Sequence, residues 1–342
     1  MDRPSLTSGL ESFVTAGPSS FVPGPLDRDE PLYIAGHRGL VGSALWRHFE
    51  DQGFTSLIGR TSSELDLRNR GQVFDFFAES APSTVVLAAA KVGGILANDT
   101  YPVDFLSENL QIQVNVLDAA LANGVRRVLF LGSSCIYPRS APQPIREEYL
   151  LTGTLEPTND AYAIAKIAGI LHIQSVRRQY GLPWISAMPT NLYGPGDNFS
   201  RSGSHVMPAL IRRFEDAIAD GSDDVTNWGS GAPRREFLHV DDMASACLHL
   251  LEHFDGPQQV NVGTGVDHSI AEISDMVATA VGYNGRVNWD TSKPDGTLRK
   301  LLDVTTLTDS GWSPSVDLAD GIAGVVDWYR AAGRADAATV RS

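Results

Sequence analysis

Short apolar runs alternate with longer amphipathic stretches over the first two thirds of the chain, and this alternation restricts the fold more than any other feature. Leu32-Tyr33-Ile34-Ala35 leads directly into a glycine-rich segment, and residues 43–49 then carry their apolar side chains at helical spacing. Further short runs follow at residues 55–59, 85–90, 128–131 and 184–188. Between them, Leu106, Leu110, Val114, Leu117 and Leu121 mark one long helix, and residues 161–180 read as another. Strands separated by crossover helices pair in parallel, because each helix returns the chain to the same end of the sheet. The expected fold is therefore α/β, a doubly wound parallel sheet whose ligands bind beyond the C-terminal strand ends.

The first strand–loop–helix unit is of the Rossmann type. Gly36-His37-Arg38-Gly39-Leu40-Val41-Gly42 follows the strand. Gly36 permits the tight turn, Gly39 lets backbone approach a pyrophosphate, and Gly42 allows close helix–strand packing. The spacing is Gly-x-x-Gly-x-x-Gly, not the commoner Gly-x-Gly-x-x-Gly. Taken alone, the segment also fits a glycine-rich turn with no ligand. The second strand ends at Arg60, where an NAD-binding unit carries an acid; Glu64 and Asp66 come later. Arg60 and Arg38 suit a 2′-phosphate, so the expected cofactor is NADP(H). Leu131-Gly132-Ser133-Ser134-Cys135 and Pro189-Thr190-Asn191-Leu192 also fall at C-terminal strand ends, as does Lys91.

Tyr162 and Lys166 stand at i and i+4, on one face of a helix. An ammonium near a phenol favours the phenolate, which predicts a lowered tyrosine pKa and proton transfer near neutral pH. Ser133 offers a second hydrogen bond to the same substrate oxygen. Cys135 places a thiol beside it. Taken singly, these residues read more readily as a packed ring with a solvated amine and as a small buried cysteine.

The 342 residues carry a formal net charge of −14, which argues against non-specific binding to nucleic acid or anionic membranes. No run approaches the ~20 apolar residues of a membrane span. Two cysteines, Cys135 and Cys247, give no disulfide framework, in keeping with a cytoplasmic setting. Residues 1–29 read as a flexible N-terminal extension, 30–192 as the NADP-binding domain with chain returning at about 236–264, 193–235 and 265–332 as a smaller substrate-binding α/β lobe, and 333–342 as a tail. Residues 237–242 and 260–263 look like chain rejoining the main sheet. Within the lobe, Arg212-Arg213, Arg234-Arg235 and Lys293 are suited to a diphosphate clamp, and Trp228 to stacking on a base. Solvated charge pairs and a core tryptophan are the alternatives.

On the glycine loop, residues 88–94, 131–138, 155–159, 162–169, 188–195, 235–242 and 293–297, the chain resembles the extended short-chain dehydrogenase/reductase family over roughly residues 31–330. Within that family it is similar to enzymes that epimerise C3 and C5 of GDP-4-keto-6-deoxy-D-mannose and then reduce C4 to give GDP-L-fucose. The resemblance implies Tyr162 as proton donor to the C4 oxygen, with Lys166 and Ser133 in support. It implies Cys135 and His205 as the epimerisation pair. It assigns cofactor contacts to Gly36–Gly42, Arg60, Leu131 to Ser134, Lys166, Pro189 to Leu192 and His205. Substrate contacts fall to Arg213, Trp228, Arg235 and Asp295. A homodimer through the two long helices is implied, with a small-molecule GDP-sugar as the only other partner besides the cofactor. Leu298, where the pattern has proline, and the N-terminal extension depart from it. Two alternatives remain: another nucleotide-sugar epimerase or 4-reductase, which needs Ser/Tyr/Lys but not both Cys135 and His205, and a non-catalytic NADP-sensing protein.

Overall fold

The computed structural model describes residues 21–200, 203–293 and 295–333. The chain runs β1 (Leu32–Ala35), α1 (Leu40–Asp51), β2 (Leu57–Ile58), α2 (Arg70–Ser80), β3 (Thr84–Leu87), α3 (Ile95–Thr100), α4 (Pro102–Ala122), β4 (Arg127–Leu131), α5 (Asp160–Tyr180) and β5 (Ile185–Pro189). It continues through β6 (Asn191–Tyr193), α6 (Val206–Asp220), β7 (Asp224–Trp228), β8 (Arg234–His239), α7 (Val240–His253) and β9 (Val260–Val262). The last elements are β10 (Asp267–Ser269), α8 (Ile270–Val281), β11 (Arg286–Asp290), β12 (Arg299–Lys300), α9 (Thr305–Asp309) and α10 (Leu318–Ala332).

The main sheet has the order β2-β1-β3-β4-β5-β9, and every pairing is parallel. Its central strands β1, β3, β4 and β5 are buried throughout and mostly apolar, because both faces are covered. Tyr33, Val85 and Phe130 face a core shared with α2, α4 and α5, while Ile34, Val86 and Leu129 face one shared with α1 and α7. The order reverses beside β1, which opens a crevice between the ends of β1 and β3.

After β5 the chain builds a second lobe and returns at β9. A third core fills that lobe with Leu210, Ile211 and Phe214 of α6, Ile273 and Val277 of α8, and Ile322, Val325 and Val326 of α10. β8 does not rejoin the main sheet, contrary to expectation; it pairs with β6, β10 and β12. Its apolar run has a different cause. Phe237 points into the lobe core and Leu238 into the core beneath the main sheet, so β8 is the seam between them.

Residues 21–29 also depart from expectation, since they are docked rather than loose. Gly24 N donates to Glu252 O at 2.7 Å, Leu26 N to Glu252 Oε1 at 3.0 Å, and Arg28 pairs with that carboxylate at 2.5 Å. The Arg28 guanidinium covers the Phe54 ring at 4.4 Å. The nearly buried Glu252 carboxylate at the end of α7 needs such partners, and composition does not reveal that need. The expected extension over residues 1–20 and the tail beyond 333 lie outside the described residues. Among the described residues, no helix is long and apolar enough to cross a membrane.

Candidate active site

The glycine loop is a turn collapsed onto its own helix. Gly36 has φ +84°, and a Cβ there would meet the Ala89 backbone at 2.8 Å. A Cβ on Gly42 would sit 2.0 Å from the Gly36 carbonyl oxygen, so that residue must be glycine. α1 starts after Gly39 with no side-chain cap, leaving its first amides without an internal acceptor. Leu40 and Val41 form that first turn. The cradle fits a pyrophosphate. Beside it, the His37 ring lies over Gly59, where a Cβ would approach within 2.5 Å, and packs on Trp46 at 5.5 Å. Burial lowers the His37 pKa, and the Arg38 and Arg60 charges push the same way. Arg38 and Arg60 are both exposed, and Arg60 donates to Gly59 O at 2.9 Å. Arg38 in the glycine loop and Arg60 past the end of β2 both act on the His37 ring, and two such guanidiniums fit a 2′-phosphate.

β4 delivers the next group. Gly132 lies against Met188, where a Cβ would be 2.3 Å from Cε. Ser133 caps the single turn Ser134–Ile136 that follows. Its Oγ accepts hydrogen bonds from Cys135 N at 3.4 Å and from the Cys135 thiol at 3.1 Å. α5 supplies Tyr162 and Lys166. Lys166 is buried, its ammonium donates to Leu131 O at 2.8 Å, and it sits 5.8 Å from the Tyr162 ring centre. Burial lowers the Lys166 pKa to about 8, and the Cys135 charge opposes that shift. The Tyr162 phenol is pushed well above its ordinary range by burial and further by Cys135. The expected lowering by Lys166 is thus reversed. Desolvation outweighs the i+4 cation, whose proton is directed to the Leu131 carbonyl.

At the end of β5, Pro189 closes the strand and Thr190 N donates to Val262 O at 3.0 Å. Thr190 Oγ1 and Asn191 Nδ2 both donate to Glu236 O, at 3.2 and 2.8 Å, and Leu192 continues β6. His205 precedes α6 with its side chain 49% exposed and Nδ1 3.9 Å from Asp197 Oδ1. His205 thus stands beside Asp197 at the start of α6.

The four expected substrate residues gather at the end of β7. Arg213 on α6 donates to Asn227 Oδ1, and Asn227 precedes Trp228. Trp228 is 68% exposed, with Lys293 above its ring at 5.7 Å. The Asp295 carboxylate accepts from Ser230 N at 2.9 Å and Ser230 Oγ at 2.6 Å. Arg235 on β8 lies against Gly296, where a Cβ would be 3.1 Å from its guanidinium. Burial lowers the pKa of both Arg213 and Arg235. An exposed indole with half-buried guanidiniums suits a nucleotide base and its phosphates.

Sequence reasoning missed Glu236 and Lys300. Glu236 is fully buried, and its carboxylate accepts from Thr264 N, Gly265 N and Leu302 N at 2.6, 2.8 and 3.0 Å. Lys300 is held beside Arg235 by strand pairing. Both depend on contacts between distant segments, although a glutamate directly before the apolar pair Phe237-Leu238 of β8 is a signal that could have been used.

The profile of the NAD dependent epimerase/dehydratase family matches residues 32–263. GDP-L-fucose synthase 1 of Arabidopsis thaliana is 54% identical over 303 residues, covering 89% of this chain and 94% of the relative. GDP-L-fucose synthase of Escherichia coli (strain K12) is 54% identical over 307 residues, covering 87% of this chain and 96% of the relative. Among solved structures, a GDP-mannoheptose C4 reductase from Campylobacter jejuni with NADP bound superimposes with a TM-score of 0.82. It is 35% identical, and the match covers 89% of this chain and 99% of that one.

Proposed function

The chain belongs to the NAD dependent epimerase/dehydratase family, and we propose that it converts GDP-4-keto-6-deoxy-D-mannose to GDP-L-fucose with NADPH. The conversion epimerises C3 and C5 and then reduces the C4 ketone. The relatives named for this product support the reading. The observation that carries it is the 3.1 Å contact between the Cys135 thiol and Ser133 Oγ, which puts an acid–base thiol inside the carbonyl-reducing group. A simple 4-reductase has no use for that thiol.

Gly36, His37, Arg38, Gly39, Leu40, Val41, Gly42 and Arg60 would hold the dinucleotide, with Leu131–Ser134, Lys166, Pro189–Leu192 and His205 along its nicotinamide end. NADPH, when bound, supplies the hydride for C4. Arg213, Trp228, Arg235 and Asp295 hold the GDP moiety. The C4 ketone acidifies the protons on C3 and C5. The Cys135 thiolate removes such a proton, and its electron pair passes to the C4 oxygen as an enolate. Tyr162 and Ser133 hydrogen-bond that oxygen. His205, as imidazolium, returns a proton to the opposite face of the carbon. In the reduction, Tyr162 gives its proton to the C4 oxygen. Its raised pKa suits this, because the phenol stays protonated near neutral pH.

Val114 on α4 and Ile164 and Leu171 on α5 are exposed, which supports a homodimer through these helices. Both cysteines are free, which supports a reducing, cytoplasmic setting. The function is tested by incubating the enzyme with GDP-4-keto-6-deoxy-D-mannose and NADPH and identifying the product by NMR. GDP-L-fucose is expected. A reduced sugar that keeps the manno configuration at C3 and C5 would make the protein a 4-reductase.

A further inference from the structure

Glu236 stands where the second lobe meets the main sheet. It follows Arg235 on the seam strand β8 and is fully buried. Its Oε1 accepts from Thr264 N at 2.6 Å and from Gly265 N at 2.8 Å. Those amides belong to the turn that leaves β9, the edge strand of the main sheet. Its Oε2 accepts from Leu302 N at 3.0 Å, just past β12. A Cβ on Gly263 would lie 2.1 Å from Oε1, so only glycine there admits the carboxylate. The main-chain oxygen of Glu236 accepts from Thr190 Oγ1 at 3.2 Å and Asn191 Nδ2 at 2.8 Å. Thr190 N in turn donates to Val262 O at 3.0 Å, which ties the same loop to β9.

The two halves of the proposed site meet at this residue. Thr190 and Asn191 belong to the loop proposed to line the nicotinamide end of the cofactor, and Arg235 to the set proposed to hold the GDP moiety. Adjacent Cα atoms are fixed about 3.8 Å apart. The carbonyl that pins the cofactor loop and the arginine proposed to hold GDP therefore share one rigid stretch of β8. The carboxylate fastens that stretch to the end of β9 and to residue 302 through three hydrogen bonds to a charged acceptor, the stronger kind. We propose that Glu236 is a positioning residue that sets the sugar C4 carbon against the nicotinamide for hydride transfer. It acts without touching either ligand, because its carboxylate is buried and engaged by backbone amides. Each ligand is bound by its own side of the joint, and only their mutual alignment depends on Glu236. A displacement of about 1 Å between reacting atoms costs on the order of 100-fold in rate. The inference rests on the proposed function and deepens its reductive step.

The test is single-turnover oxidation of NADPH by GDP-4-keto-6-deoxy-D-mannose on the full chain, with separate titrations of NADPH and of GDP. Glu236→Gln keeps the side-chain shape but turns an amide donor against a backbone N–H. Its single-turnover rate constant should fall about tenfold or more. The two dissociation constants, and the amplitude per mole of protein, should stay within about twofold of the parent. A merely structural defect would show the reverse, because unfolded chains lose amplitude and binding stoichiometry while the remaining sites react at the parent rate. Gly263→Ala pushes the same carboxylate aside from the end of β9 and should give the same pattern. It carries the measurement if Glu236→Gln does not fold. Where both fold, the double variant should be no slower than the slower single one, since both open the same joint. An unmoved rate constant, a loss confined to amplitude, or affinities that fall as far as the rate overturns the inference. A parent that reduces the ketone without epimerising it fails the proposed function alone, because the rate constant and both titrations read the joint whichever epimer is reduced. A parent that makes GDP-L-fucose, with variants that react as fast, fails this inference alone.

Discussion

The Cys135 thiol donates to Ser133 Oγ at 3.1 Å, so the proposed epimerisation base and the proposed ketone-binding hydroxyl form one unit. A substitution at Ser133 therefore reaches both half-reactions. Ser133→Ala removes the acceptor for the thiol and one donor to the C4 oxygen. Hydrogen–deuterium exchange at C3 and C5 and C4 reduction should both slow, each by about tenfold or more, the scale of one hydrogen bond to a charged group. Tyr162→Phe should instead abolish reduction while slow exchange persists. Separate assays of exchange and of NADPH oxidation check the contrast.

NADPH affinity should depend on Lys166. Its ammonium, as a donor to the cofactor, binds only when protonated, and burial places its pKa at about 8 in the free protein. The sign follows directly. Below pH 8 the charged form dominates and binding is full. As pH rises through about 8 the ammonium is lost and the dissociation constant should climb, approaching tenfold per unit. Fluorescence titration between pH 7 and 9.5 measures the limb. Lys166→Met should bind more weakly and show no such limb.

Arg60→Ala should weaken NADPH about tenfold or more while leaving NADH nearly unchanged, if the exposed guanidinium past the end of β2 pairs with the 2′-phosphate as proposed, a group that NADH lacks. Calorimetry with both cofactors reads the ratio. Equal losses for the two would mean that Arg60 supports the loop and does not select the cofactor.

Arg28→Ala should destabilise the fold by about 1–3 kcal/mol, because it leaves the Glu252 carboxylate without its ion pair. Urea unfolding measures the change. The N-terminal boundary of any shortened chain should accordingly fall before residue 21.

What the sequence disclosed was mostly local. Gly36 and Gly42 were readable because the turn they make needs no distant partner. Ser133 and Cys135 were readable because a single residue, Ser134, separates them on one turn. The Tyr162–Lys166 spacing correctly put both on one helix face, yet it predicted the wrong direction for the phenol. Spacing reports the cation but not the burial that outweighs it. The apolar run in β8 suited either a strand of the main sheet or a seam between two cores, and only the pairing partners decide. Lys300 was invisible because its pairing partner, Arg235, is far away in the chain. Residues 21–29 looked loose because their partner, Glu252, lies on α7.

The proposed enzyme performs proton exchange at two carbons before it reduces a third. The most direct measurement is turnover of GDP-4-keto-6-deoxy-D-mannose with NADPH in deuterated water, with NMR assignment of deuterium and configuration in the product. The parent should give GDP-L-fucose with deuterium at C3 and C5 and hydrogen from the cofactor at C4. Cys135→Ser should lose the exchange by about 10²–10⁴-fold, the range of general acid–base groups, and leave slow reduction of the unepimerised ketone. GDP-L-fucose made by Cys135→Ser at the parent rate, or a parent product with no deuterium at C3 and C5, would contradict it.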